Sequence, residues 1–136
     1  MSPPTTILIV EDDVGVQAAL TEVLSQENHP LIIVATVEAA EDAVQRVRSA
    51  RIGLVIADIH LTARLQGYEG YELYESWHRR YPQLAFLLIS GSPIGRDLPA
   101  VRTGEVRFLA KPFAFQDLLQ AVGAEIRGAG SFDARP

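Results

Sequence analysis

Cysteine is absent from this 136-residue chain, which excludes disulfides, thiolate nucleophiles and Cys-ligated zinc and is compatible with a cytosolic home. Long apolar runs are also missing: no stretch approaches the roughly 18 residues a membrane span needs. Met1-Ser2-Pro3-Pro4 has neither the charged start nor the apolar core of a signal peptide. The expectation is a soluble, intracellular protein, cytoplasmic and without membrane contact. Clustered Lys and Arg are lacking, and the formal net charge is −5, so direct binding to a phosphate backbone is not expected. The densest basic site, Arg79-Arg80 beside His78, reads as a complement to a helix dipole. No G-x-G-x-x-G follows the first apolar run, and Gly91 and Gly95 lie in the wrong unit, which removes dinucleotide binding.

What remains is an ordinary globular composition, 48% hydrophobic and 21% charged, in a length suited to one core of about 100–150 residues. Five short β-branched or aliphatic runs alternate with helical patterns: residues 6–10 (TILIV), 31–35 (LIIVA), 53–57 (GLVIA), 84–89 (LAFLLI) and 106–110 (VRFLA). Such alternation predicts a parallel sheet covered on both faces. The first four runs are as apolar as central strands, whereas Arg107 marks the fifth as an edge.

Helical stripes lie between the strands: Val16, Leu20, Val23 and Leu24; Ala40, Ala43, Val44 and Val47; Leu73 and Trp77 before Pro82; and Phe115, Leu118, Leu119, Val122 and Ile126. The fourth helix is expected to be short, because only Leu98 and Val101 form a helical pair and Gly95 and Pro99 oppose a long element. One domain is expected over residues 1–127, with 128–136 (GAGSFDARP) a flexible tail. Residues 67–72 spell GYE twice, which suggests a three-residue local insertion.

In an open parallel sheet the ligand site lies beyond the carboxyl ends of the strands. There stand Glu11-Asp12-Asp13 after the first strand, Asp58 after the third, Ser90 after the fourth and Lys111 after the fifth. If the first and third strands are neighbours, Glu11, Asp12 and Asp58 share one pocket. Crowded carboxylates raise each other's pKa unless a cation neutralises them, and a hard divalent ion suits oxygen ligands. Mg²⁺ fits best, with Mn²⁺ an alternative, because it uses few carboxylates and leaves positions for phosphoryl oxygens. A metal, an ammonium from Lys111 and a hydroxyl from Ser90 around one carboxylate suffice for phosphoryl transfer, which depends on positioning and charge neutralisation. Asp13 is instead assigned to capping the helix that holds Val16. Lys111-Pro112-Phe113 reads as a constrained turn compatible with a cis peptide bond.

These residues, in the motifs ILIVEDD (7–13), LVIADIHL (54–61), GYEL (70–73), LLISG (87–91) and FLAKPF (108–113), make the chain resemble the receiver domains of bacterial response regulators from about residue 6 to residue 126. The resemblance implies a flavodoxin-like, doubly wound (βα)5 three-layer sandwich with a five-stranded parallel sheet in the order 2-1-3-4-5. It implies that Asp58 is the phosphoacceptor, Asp12 the main metal ligand, Glu11 a ligand acting mostly through a metal-bound water, and the backbone carbonyl of His60 a further ligand. Ser90 would be the switch hydroxyl, Phe108 the aromatic whose rotamer follows it, and Lys111 the cation on a phosphoryl oxygen. A sensor histidine kinase or histidine phosphotransfer protein would be the donor. The output would pass by contact with a target protein or by homodimerisation through the fourth helix, fifth strand and fifth helix.

Two features depart from the family pattern. Thr62 stands where Pro is frequent, in a loop lengthened by the GYE duplication, and His60 and Ser92 occupy the two variable positions that flank the attacking water in dephosphorylation. His60 reads as a modulator rather than a second acceptor, and His29 and His78 as surface residues. A receiver fold that works as an interaction module without phosphorylation is the alternative function. An aspartyl-phosphate hydrolase is disfavoured, because such enzymes resemble D-x-D at the nucleophile and His60 holds the second position; the chain is not expected to be an enzyme beyond its own phosphorylation and dephosphorylation.

Overall fold

A computed structural model describes residues 5–46, 52–61 and 67–130. The chain forms β1 (Thr6–Val10), α1 (Val14–Leu24), β2 (Leu31–Val34), α2 (Val37–Arg46), β3 (Ile52–Asp58), α3 (Glu69–Arg80), β4 (Ala85–Ser90), α4 (Pro99–Arg102), β5 (Arg107–Ala110) and α5 (Phe115–Gly130). Short 3-10 turns at Ser25–Glu27 and Pro93–Asp97 follow α1 and precede α4. All strand pairs are parallel, in the order β2-β1-β3-β4-β5. The alternation of strands and helices predicts the parallel sheet, and the order is the flavodoxin-like one that the resemblance implies. Among the described residues no helix is long and apolar enough to cross a membrane.

Side chains alternate across a strand, and here the alternation splits the core in two. Leu8, Val10, Val55, Ala57, Phe86 and Leu88 face one way and pack with Ala40, Leu73, Trp77 and Ala100 from α2, α3 and α4. Ile7, Ile9, Leu54, Ile56, Leu87 and Ile89 face the other way and meet Leu20, Val23, Leu118 and Val122 from α1 and α5. Asp13 caps α1 as expected, its Oδ1 accepting from Val16 N–H at 3.0 Å. The pair of helices α2 and α3 is pinned by Glu41, whose carboxylate accepts from Trp77 Nε1 at 2.9 Å and from Arg80 at 3.2 Å. Arg80 therefore links two helices rather than only complementing a dipole.

Several expectations are corrected. β2, as apolar as a central strand, forms the second edge of the sheet, with Ile33 38% exposed. Phe115 is 51% exposed, because α5 begins past the end of the sheet and burial starts one turn later at Leu118. α5 continues to Gly130, so residues 128–130 are helical rather than tail. His29 is half-buried, with a buried Nδ1, rather than on the surface. The fourth helix is short as predicted, a single turn of four residues. Most of the lengthened loop, residues 62–66, lies outside the described residues, as does Val47 of the second stripe; the second GYE copy, residues 70–72, sits in the first turn of α3.

The start of α3 approaches β3 as closely as backbone allows. Gly70 N–H donates to Ile59 O at 3.0 Å, and a Cβ at position 70 would fall 1.8 Å from Asp58 O and 2.7 Å from Asp58 C. Neither neighbour is a flexible side chain that can swing away. Gly70→Ala should therefore destabilise the fold by about 2–3 kcal/mol or more, as forced overpacking does. Gly123→Ala in α5, where a Cβ meets only the flexible end of Arg127 at 3.2 Å, should be neutral or stabilising by up to about 1 kcal/mol. Urea unfolding of the two variants beside wild type measures both; equal effects would refute the contact at Gly70.

Candidate functional site

The strand ends line up. Val10 pairs with Ala57, Asp58 with Ile89 and Ser90 with Ala110, so the residue after each strand joins a common rim. Backbone bonding continues beyond the ladder: Glu11 N–H donates to Val34 O at 3.0 Å, Ile59 N–H to Ile89 O at 2.8 Å and Lys111 N–H to Ser90 O at 2.9 Å. The rim residues are thus held by main chain, and their side chains converge without loop freedom. The Lys111–Pro112 peptide is cis, in the turn that carries the lysine.

Lys111 Nζ lies 3.0 Å from Asp58 Oδ2 and 3.0 Å from Glu11 Oε1. The other oxygen of Asp58 accepts from His60 N–H at 3.0 Å, and Glu11 Oε2 accepts from Asp13 N–H at 3.0 Å. Glu11, Asp12 and Asp58 each present a carboxylate oxygen within 4.8 Å of the others. Glu11 is fully buried and Asp58 nearly so. Burial pushes the Glu11 carboxyl up to about 7 against the pull of the Asp13 N–H, and the charge of Asp58 adds to the rise, so one lysine does not compensate for two buried acids. Burial also works against the Lys111 ammonium, yet its bonds to Asp58 and Glu11 hold it above its ordinary range.

The donor set fits a hard divalent cation. It consists of oxygens alone, and the buried Glu11 and Asp58 share one ammonium between them. Asp12 also lines a cleft of about 760 Å³ with Glu38, Glu41, Glu69 and Glu72, so the approach to the set is acidic.

The remaining candidates stand close by with other partners. Ser90 is fully buried, and its Oγ accepts from Ser92 N–H at 3.0 Å, which ties the hydroxyl to the loop after β4. Ser92 caps the Pro93–Asp97 turn through Ile94 N–H. Phe108 packs against the α3–α4 side of the core, under Gly95, where a Cβ would sit 2.8 Å from Phe108 Cε1, and the Arg96 guanidinium lies 5.9 Å from the ring centroid. His60 Nδ1 is bonded to Gly67 O at 3.0 Å, and its ring leans on Tyr68 at 5.0 Å. His60 thus ties the duplicated segment to the Asp58 strand end. His78 is exposed as expected, stacked on Tyr74 at 5.3 Å, with Nε2 3.7 Å from Glu105.

Sequence reading missed Gln17, whose Nε2 donates to Glu11 O at 2.6 Å and braces the acidic turn. It also missed the contact duties of Gly70 and Gly95. For Gly70 the sole signal was its place in GYEL; for Gly95 there was none beyond its helix-breaking character.

Comparison with known proteins agrees with this geometry. The family model "Response regulator receiver domain" matches residues 7–123. Response regulator protein FleR of Pseudomonas aeruginosa is 32% identical over 123 residues, covering 90% of this chain and 24% of FleR. Transcriptional regulatory protein TdiR of Thauera aromatica is 31% identical over 123 residues, covering 90% of this chain and 51% of TdiR. Among solved structures, the signal receiver domain of an HD domain-containing protein from Pseudomonas fluorescens Pf-5 superposes with a TM-score of 0.81 at 28% identity, covering 100% of this chain and 96% of that one. The non-phosphorylated HemR receiver domain from Leptospira biflexa gives 0.73 at 28% identity, covering 90% and 94%. The chain belongs to the response regulator receiver domain family, and its function is that of a receiver in two-component signalling. It spans about a quarter to a half of the length of these curated relatives.

The raised Glu11 carboxyl has a consequence for stability. The folded chain holds that proton more tightly than the unfolded chain, so stability falls as pH rises from its ordinary 4.5 through about 7. Glu11→Gln, which keeps the shape without the charge, should therefore stabilise the metal-free protein by roughly 1–2 kcal/mol at pH 8. The gain should shrink as pH falls below about 7 and vanish near pH 4, and adding Mg²⁺ at pH 8 should raise the melting temperature of wild type more than that of the variant. Thermal melts at pH 4 and pH 8, with and without Mg²⁺, check this; a pH-independent difference counts against it.

Proposed function

We infer that Asp58 is the residue that accepts the phosphoryl group, from a phosphohistidine of a sensor histidine kinase or a histidine phosphotransfer protein. The observation that carries this reading is the placement of Asp58 at the end of β3, with Lys111 Nζ 3.0 Å from its Oδ2 and two further acids within 4.8 Å. A carboxylate oxygen of Asp58 attacks phosphorus as the P–N bond to the donor imidazole breaks; that nitrogen leaves with the bond pair. Lys111, already on Oδ2, pairs with a phosphoryl oxygen as charge builds there, and the His60 N–H keeps the other carboxylate oxygen in place. Glu11, Asp12 and Asp58, with the backbone carbonyl of His60, would hold Mg²⁺, or Mn²⁺ in its stead. That ion supplies neutralisation of the negative charge gathered at the transferred group.

The product carries roughly −1.5 to −2 charge. Ser90 then turns from the Ser92 backbone toward the phosphoryl oxygens, and the Phe108 rotamer follows it. The altered surface comprises α4, β5 and α5, and it reads out to a downstream protein or to a second copy of the chain, without direct contact to nucleic acid. The reaction is confined to self-catalysed transfer and hydrolysis on Asp58, in the cytoplasm.

Incubation with Mg²⁺ and acetyl phosphate, followed by intact-mass measurement, should give a single phosphoryl adduct on wild type and none on Asp58→Asn. Lys111→Ala should slow adduct formation by at least about tenfold, as loss of a charge-assisted contact to the transferred group implies. An adduct that survives Asp58→Asn overturns the assignment.

A further inference from the structure

α4 is one turn of four residues, Pro99–Arg102. A helix that short does not hold itself together, because closing its first bond fixes several residues and its leading N–H groups find no acceptor within it. Leu98, at its N-cap, makes no side-chain hydrogen bond. The missing acceptor comes from another helix: Ala100 N–H donates to the Tyr71 hydroxyl at 3.0 Å, in a bond buried from solvent. On its other side Ala100 O accepts from Val106 N–H at 3.2 Å. Ala100, the buried residue of α4, is therefore held between α3 and the entry to β5.

Tyr71 is not a passive post. The residue before it, Gly70, rests directly on the main chain of Asp58 and Ile59, with a 3.0 Å bond to Ile59 O and no space for even a methyl group against Asp58 O. The first turn of α3 must therefore follow any movement of the backbone at residues 58–59. One turn further on, the Tyr74 hydroxyl donates to Glu105, in the segment that leads from α4 into β5. That phenol stays protonated, raised first by burial and then by Glu105. α3 thus grips the stretch between residues 100 and 105 at both ends, through two phenols on one face.

We propose that Tyr71 is a positioning residue that couples the Asp58–Ile59 main chain to α4 through its hydroxyl bond to Ala100 N–H, by a route separate from Ser90 and Phe108. This proposal rests on Asp58 being the phosphoacceptor. It differs from plain structural support in what it demands of Tyr71→Phe, which keeps the buried ring and removes only the acceptor oxygen. A structural role would lower stability and leave the response to phosphorylation intact. A relay role lowers the response itself.

The test uses the full chain with Mg²⁺ and acetyl phosphate, read by intact mass, amide hydrogen exchange and amide chemical shifts. In Tyr71→Phe without phosphodonor, Ala100 N–H should exchange roughly tenfold faster than in wild type. With phosphodonor, the adduct should form to the same extent as in wild type. The phosphorylation-dependent shifts of residues 99–102 should fall below half their wild-type size, while those of residues 90–92 persist. Tyr74→Phe, which also loses a phenolic hydroxyl on α3, should leave Ala100 exchange within about twofold of wild type. Adduct formation with undiminished shifts at residues 99–102, or equal effects of the two variants on Ala100, overturns the relay alone. Failure of wild type to take up a phosphoryl group removes the Asp58 assignment and the relay with it.

Discussion

Three carboxylates forced together at the ends of two adjacent strands set the terms for the rest of this molecule. Glu11 and Asp58 are placed by ladder register, not by choice of rotamer, and neither can retreat into solvent. Like charges at such range in a water-poor site are costly, and the structure answers with a single ammonium, Lys111, set 3.0 Å from each. The lysine sits on the fifth strand end, two strands away from Asp58 in the sheet, so satisfying the acids requires the order β1-β3-β4-β5 to be complete. The charge problem and the topology are one constraint.

That constraint explains why so much of the site could be read from the chain. Residues that follow apolar runs in a parallel sheet meet at one rim, so Glu11, Asp58, Ser90 and Lys111 announce themselves by position. The strands are equally plain, because residues buried on both faces leave long β-branched and aliphatic runs. Asp13 was separable from its neighbours since one cap explains one acid, and Val16 N–H indeed takes it. The edge position of β2 is not visible from its own residues: LIIV is as apolar as the central strands, and only the strand order puts it at an edge among the described residues. Phe115 misled because helical spacing reports a face but not where the sheet beneath that face ends.

Contacts between elements distant in sequence were illegible for a different reason. Gly70 matters because of Asp58 O, Gly95 because of the Phe108 ring, and Tyr71 because of Ala100 N–H twenty-nine positions away. In each case the informative partner belongs to another element, and no local pattern encodes the approach. Glycine in particular carries two meanings, freedom of backbone and absence of volume. At positions 70 and 95 the second applies, and it shows only once the neighbouring chain is in place.

The division of the core by the sheet has its own consequence. Ile59, Phe108, Tyr71, Ala100 and Val106 all belong with the cluster on the α2–α4 side, while Leu20, Val23, Leu118 and Val122 fill the other. The sheet acts as a bulkhead between two compartments, and Phe108, Tyr71 and Ala100, to which the proposed rearrangement is assigned, lie in one of them. The face of α1 lies across the bulkhead from Tyr71, Ala100 and Phe108, so a protein docking there would recognise the chain itself. A protein that senses the proposed rearrangement would reach α4 on the other side.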